Sequence, residues 1–497
     1  MKSKVLWWIL GGVSVLFILS SLVITLIEYD RFKSIPSTFP SGSTIAGVPV
    51  DELGESEADE RVSEFYDLPL ILEINDTSIQ ANPNELGFSM DVSSLVSQGY
   101  EQITNGRFWE YLWGNTQHQP ISIPLKAAVD EEQLKTYLTQ EVAPRYTQPG
   151  IPITPISGTT NFMIPRAGEQ LDVESAMVDI RAALLSPATR QVTLDIERNE
   201  SGTANLQMLQ SFLIHNIKES GFDNLVEVYL ESMGTGQTLH FAVQNSSMVE
   251  PNVAFTAAST IKIPVMISVL RRTTNPTPEE VINLLEEMIV FSQNPPADTL
   301  MSTYLDELRG PLLVSEDLEA LGLENTFLAG YFYLGAPVLK LYKTPANTRT
   351  DIFLDPDIYN QTIPAEAGQL LSAIYQCAED GGGLLTETFP GELTQEECQL
   401  MFDVLSINKI GLLIEAGLPP EASIAHKHGW VQELDGLLHS MSDVAIVSTP
   451  GEDYVLTIFI HDPVQLNYEQ GNRLFARLSQ TVYNFYNINN QAYWWFD

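Results

Sequence analysis

Cysteine, positive charge and paired histidine are what this sequence has least of. Two cysteines, Cys377 and Cys398, stand in 497 residues, too few for a disulfide framework or a cysteine-rich metal site. Both fall in segments predicted to be helical and separated by one loop, so a bridge formed outside the cytoplasm and two buried free thiols are both open. Lys and Arg number 25 against 64 Asp and Glu, a net charge of -39. That balance works against nucleic acid or an anionic membrane surface as a partner, and an anionic ligand would need a locally basic pocket. The 7 histidines show no paired ligand spacing such as His-Glu-x-x-His, so no metal and no cofactor are expected. What is present is the balance of a folded protein, 44% hydrophobic and 18% charged, at a length that implies two or three domains.

Charge is also missing from Val5 to Ile27. An apolar run of this length can span a bilayer, which takes about 20 residues. It is longer than a typical signal-peptide core and no small-x-small site closes it, which favours an uncleaved anchor over a cleaved signal. Lys2 and Lys4 precede the run and Arg31 and Lys33 follow it, so the positive-inside rule favours a cytoplasmic N-terminus only slightly. With so short a leading tip, the expected topology is single-pass in the cell membrane, with the bulk of the chain extracytoplasmic.

Three regions follow: 1–34, tip and anchor; 35–203, a stalk and an α+β domain; 204–497, a second domain. Ser34 to Ser43 is rich in Pro, Ser and Gly and reads as an extended stalk. Between Thr44 and about Glu197, short β-like runs such as Leu70–Ile74 alternate with helical ones such as Glu131 to Leu138. Gly87-Phe88-Ser89-Met90-Asp91-Val92 is echoed by Gly168-Glu169-Gln170-Leu171-Asp172-Val173. Two copies of a strand-turn-helix unit would produce this, and so would two unrelated Asp helix caps. Through Ile45-Ala46-Gly47-Val48-Pro49-Val50 and these echoed segments, the region resembles the peptidoglycan-binding domain of vancomycin-resistance W-type proteins, also found ahead of some L,D-transpeptidases. No residue in it has the look of a catalytic group.

The polar stretch Asn199 to Thr203 marks the boundary. Beyond it come an amphipathic helix with Leu206, Leu209, Phe212, Leu213 and Ile217 at helical spacing, then strands at Val226–Leu230 and Thr238–Val243 around a Met233–Gly236 turn. A largely helical block runs from Ile261 to Val404, strands return from His426 to Ile460, and a helix closes the domain at about Tyr468 to Tyr486. Strands from both ends around an inserted helical block imply one antiparallel sheet with helices packed on it, an α+β fold.

Within this frame lies Ser259-Thr260-Ile261-Lys262. Residues three apart on a helix share a face, so the amine can meet the hydroxyl and activate it. Such a pair arises by chance about once in a chain this long. It gains weight from Ser292-Gln293-Asn294 ahead of the next helix and from Lys427-His428-Gly429 at the head of a strand. Singly, Ser259 could be a helix cap, Ser292 and Asn294 could cap the next helix, and Lys427-His428 could be an exposed strand end. Together the three motifs, in this order, resemble the active-site set of class A β-lactamases and penicillin-binding proteins. Thr362-Ile363-Pro364-Ala365-Glu366, His426 to Trp430, Ser442 to Val447 and Tyr454 to Leu456 extend the likeness over about Asn205 to Tyr486.

The resemblance implies Ser259 as acylated nucleophile and Lys262 as its proton acceptor, with a pKa lowered by repulsion from Lys427. Ser292 would relay a proton to the leaving nitrogen, and Asn294 would hold the substrate amide. The backbone N–H groups of Ser259 and Trp430 would form the oxyanion hole, beside Gly429. Lys427 would also attract a substrate carboxylate. Two departures stand out. His428 replaces a hydroxyl residue, leaving a neutral or charged imidazole to take its contact. Between Glu324 and Asp351 there is no acidic residue, where the family's deacylating glutamate should lie; Asn347 or Glu324 could replace it only after a loop rearrangement. The implied protein is a membrane-anchored serine hydrolase, acylated by a β-lactam or by D-Ala-D-Ala-type wall peptides and slow to release them. The alternative is a wall-binding protein that keeps the fold without turnover.

Overall fold

The computed structural model describes residues 2–34, 37–104, 107–114, 119–199, 205–433 and 435–493. Most of the polar segment expected to carry the domain boundary, 200–203, lies outside these. Two compact units emerge, one of residues 1–151 and 166–201, the other of 152–165 and 202–497.

The first unit opens with the helix Lys2–Ser34. Its stretch Val5–Ser34 has a mean hydropathy of 2.4 in its most apolar window and none of that window is buried. Ser34 to Ser43 is not wholly a free stalk: Phe39 and Ser43 are buried, and Phe39 joins Ile45, Val48, Val62, Val96 and Ile123 in a small core. A second core gathers Leu70, Leu72 and Ile74 from one strand with Leu134, Leu138, Ile180 and Leu184 from helices. The two echoed segments each form a short strand followed by a helix, Phe88–Met90 with Val92–Thr104 and Gly168–Leu171 with Val173–Leu184. Asp91 and Asp172 accept the N–H groups of Ser94 and Ser175 at 3.0 and 2.9 Å. Local capping therefore explains the shared Asp-Val, whichever origin the echo has.

The second unit is mixed α+β around six strands. Their spatial order is Ser247–Val249, Thr238–Gln244, Leu225–Ser232, Tyr454–His461, Leu438–Ser448 and Ser423–Gln432, every pairing antiparallel. Tyr454–His461 is buried along its whole length because both faces of the sheet are covered. Leu456, Ile458 and Ile460 pack with the helices Leu206–Glu219 and Tyr468–Tyr486, while Val455 and Phe459 pack with the inserted helical block. A strand covered on both faces reads as continuously apolar instead of alternating. Cys377 and Cys398 are bonded to each other, with Cα atoms 5.7 Å apart, so of the two open readings the structure has the bridge. It joins the helices Pro364–Asp380 and Gln395–Ile407.

Glu227 braces the approach to the candidate site. Fully buried in the sheet, its carboxylate accepts the backbone N–H of Asn252 at 2.8 Å and of Val253 at 3.0 Å, and meets His240 Nε2 at 2.8 Å. Each oxygen is thus committed to the segment that runs through Phe255–Thr256 into Ser259. A buried acceptor with these partners is costly to replace, since Gln would turn an N–H toward one of the donors. Glu227→Gln is expected to lower stability by about 1–3 kcal/mol, read as a lower denaturant midpoint with an unchanged slope.

Candidate active site

Ser259 lies in a single 3-10 turn, Ala258–Ile261, that feeds the helix Lys262–Leu270. Every residue of that helix is buried, which marks a core helix and fixes the turn at its head rigidly. Ala258 has φ +48°, a left-handed conformation that non-glycine residues adopt at a cost and that recurs at functional sites. Ser259 itself is half-buried and sits inside the turn, not at a capping position.

Three motifs converge on Ser292. Lys262 Nζ donates to Ser259 Oγ at 3.1 Å and to the Ser292 carbonyl at 2.6 Å, and reaches Ser292 Oγ at 3.5 Å. From the other side Lys427 Nζ donates to Ser292 Oγ at 2.9 Å and to the His428 carbonyl at 3.0 Å. Ser292 also has positive φ, +55°, which turns both its oxygens toward the two amines. Lys427 and His428 are buried, so they are not an exposed strand end.

Lys427 stands on Ser423–Gln432, the edge strand of the sheet. In an antiparallel ladder, alternate residues turn their N–H and C=O to opposite edges. The carbonyls of His426 and His428 accept from Asn408 Nδ2 and Lys427 Nζ, both at 3.0 Å, so they face the open edge, and Trp430, two residues further, faces it too. Gly429 lets the nucleophile turn press against this edge. A Cβ there would stand 2.8 Å from Ser442 Oγ and 3.0 Å from the Ala257 carbonyl, closer than side-chain carbons pack. Behind the strand, His426 places Nδ1 3.0 Å from Asp443 and Nε2 3.0 Å from the Asn408 carbonyl, which fixes its ring.

The electrostatics differ from the expectation in one respect. Burial pushes Lys262 down to about 8, with Asp298 working against the shift. Lys427 falls to about 7, first through burial and then through repulsion from Lys262. Desolvation, not the neighbouring lysine, is the main cause at Lys262, and the repulsion shows at Lys427. His428 is driven to about 2 by burial, Lys427, His426 and Lys262, so its imidazole is neutral. It stacks on Trp430 with centroids 4.4 Å apart, and its Nδ1 is buried without a hydrogen-bond partner among the described residues. Asn294 is exposed at the start of the helix Asn294–Leu300, with no side-chain hydrogen bond among the described residues.

Two residues at the site went unnoticed in the sequence. Asp298, half-buried, accepts the Phe332 N–H at 2.7 Å, and burial raises its carboxyl pKa. The half-buried ring of Phe332 lies with its centroid 5.7 Å from Lys262 Nζ. Asp298 was legible only as one polar residue in a helical run, and Phe332 as part of an aromatic cluster, Tyr331-Phe332-Tyr333, in the loop already read as lacking the family's acid. Asn347 is spent within that loop, accepting Thr344 N–H at 2.9 Å and donating to Gln361 at 3.0 Å. Glu324 is exposed.

Because both amines hold their protons less tightly in the folded state, stability rises as pH climbs from about 7 toward the ordinary lysine value. Lysine-resolved NMR titration should find two amines losing protons near about 8 and about 7. Finding both at the ordinary value would contradict the burial described.

Residues 273–486 match the model of the beta-lactamase enzyme family. The matched stretch contains Ser292, Asn294 and Lys427 to Trp430 but begins after Ser259 and Lys262. No curated protein matches. Among solved structures, PBP-A is 20% identical, covering 57% of this chain and 98% of its own, with a TM-score of 0.41. A class A beta-lactamase from Mycobacterium abscessus is 18% identical, over 56% of this chain and 100% of its own, with a TM-score of 0.40. A beta-lactamase from Chitinophaga pinensis is 18% identical, over 57% and 99%, with a TM-score of 0.41. The family shown is therefore that of residues 273–486, within the second unit, which match the beta-lactamase enzyme family.

Proposed function

We propose that this protein is a membrane-anchored, extracytoplasmic serine hydrolase, acylated at Ser259 by β-lactams or by D-Ala-D-Ala-type wall peptides. The observation that carries the reading is the 3.1 Å contact of Lys262 Nζ with Ser259 Oγ, made by an amine whose pKa burial has brought to about 8. A neutral fraction of that amine near neutral pH can take the serine proton as Oγ attacks the substrate carbonyl. The oxyanion that forms would be held by the N–H groups of Ser259 and Trp430. Collapse of the tetrahedral intermediate breaks the C–N bond, and the leaving nitrogen takes a proton through Ser292 Oγ, which Lys427 Nζ contacts at 2.9 Å. Lys427, Asn294 and Gly429 would frame the substrate. With His428 neutral, its imidazole offers a substrate carboxylate one N–H and no charge.

Release of the acyl group needs a water and a base. The Phe332 ring over Lys262 brings no base to that side, and one oxygen of Asp298 is occupied by the Phe332 N–H. With no acidic residue between Glu324 and Asp351 to act as that base, deacylation is expected to be slow. The first unit we read as a spacer or wall-contacting module, carried by Lys2–Ser34 as a single-pass anchor.

Intact mass measurement after incubation with a fluorescent penicillin tests the reading. One covalent adduct is expected, absent in Ser259→Ala and formed on the order of 100-fold more slowly in Lys262→Met. Its lifetime should run from minutes to hours; release within seconds would show that a base has been overlooked. No adduct over hours on folded protein would leave the other reading, a wall-binding protein without turnover, which the neutral His428 and the intruding Phe332 favour.

A further inference from the structure

The segment Phe108-Trp109-Glu110-Tyr111-Leu112-Trp113 packs four aromatic residues into six positions, most of them in the short helix Arg107–Leu112. Two of the four point inward to the first helix. The Phe108 ring lies 5.1 Å from Tyr29 and 5.8 Å from Phe32, and the Tyr111 ring lies tilted against Phe32 at 5.4 Å while its hydroxyl donates to Glu28 at 3.1 Å. The other two are left outside. Trp109 is 63% exposed, Trp113 is 86% exposed, and Leu112 between them is 37% exposed.

Their height along Lys2–Ser34 says what covers them. The charges Glu28, Asp30 and Arg31 close the apolar run. Trp109 lies beside Phe17, Ser21, Leu22 and Thr25, and Leu112 beside Leu16, Ser20 and Ile24. At 1.5 Å per residue, Ser21 is roughly 10 Å along the helix from Glu28 toward the apolar centre. An exposed indole at that depth, next to a helix whose own apolar side chains are bare, is not set against water, and the exposed Trp113 follows it by four residues. An indole combines a large apolar body with a single N–H donor, so it is buried among acyl chains at far lower cost than a charged side chain. The one charge among the six, Glu110, together with the net charge of -39, rules out attraction to anionic lipid as the driving force and leaves aromatic burial.

We infer that Trp109, Leu112 and Trp113 form a membrane-embedded foot, inserted among the acyl chains of the outer leaflet of a zwitterionic bilayer beside the anchor helix and holding the first unit against the membrane surface. The inference rests on the anchoring role proposed for Lys2–Ser34.

Tryptophan fluorescence of the full chain in phosphatidylcholine nanodiscs, with acyl chains brominated near the headgroup end or unbrominated, tests it. In the Trp109→Phe/Trp113→Phe background, quenching that is lost on Trp7→Phe and Trp8→Phe reports whether the anchor helix is inserted. In the Trp7→Phe/Trp8→Phe background, bromination should still quench a distinct fraction of the emission, and adding Trp109→Phe and Trp113→Phe should abolish that quenching. Quenching that needs Trp7 and Trp8 but not Trp109 and Trp113 would overturn the foot and leave the anchor standing. Absence of quenching from Trp7 and Trp8 would overturn both.

Discussion

Everything at the candidate site depends on two lysine amines buried around one serine. Lys262 and Lys427 are both fully buried, and Ser292 lies between them with its carbonyl on one and its hydroxyl on the other. Burying two like charges this close would be costly, and the fold answers by lowering both pKa values. What a soluble lysine does only in alkali, these can do near neutrality. The surrounding architecture keeps the arrangement from relaxing: a core helix with no exposed face carries Lys262, a doubly covered sheet carries Lys427, and left-handed backbone at Ala258 and Ser292 aims the hydroxyls.

The local positive field also resolves a tension in the composition. A chain with 64 acidic and 25 basic residues repels anions in general, so the substrate carboxylate of the proposed reaction would need charges sheltered from that background. Burial shelters Lys427, while Asp443 is committed to the His426 ring and the Ile414 N–H. Asp298 is likewise tied to a backbone N–H. Each carboxylate close to the lysines is thus given another partner, which lets it tune an amine without pairing with it directly.

Much of this was legible in the sequence because it is local or periodic. The i, i+3 spacing of Ser259 and Lys262, the apolar strand Tyr454–His461 and the closing helix Tyr468–Tyr486 follow from short-range rules. Contacts that join distant loops were not legible. Asp298 meets Phe332 through a backbone N–H, which no side-chain pattern records; the lack of an acid in that loop was legible, but not that an aromatic ring from it lies at the amine. The cause of the Lys262 shift was misread for a similar reason: motif spacing shows which charges meet, whereas desolvation depends on how many apolar neighbours close over them. Gly429 could be picked out as part of a motif, but its necessity shows only in the 3.0 Å a Cβ would leave to the Ala257 carbonyl.

The hairpin of 152–165 has a bearing on modularity. Phe162 is buried in the core of the second unit, 5.1 Å from Phe212, and Asn161 and Thr160 bond to Ala492 and Gln480 near the far end of the chain. The chain therefore contributes to its second unit before it has finished its first. No single scission frees one unit whole: a cut after 201 strips the second of Phe162, and a cut before 152 leaves 166–201 behind on the wrong fragment. The two units are interlocked in sequence, so insertion, deletion or exchange of either one by recombination at a single point would break the other's core.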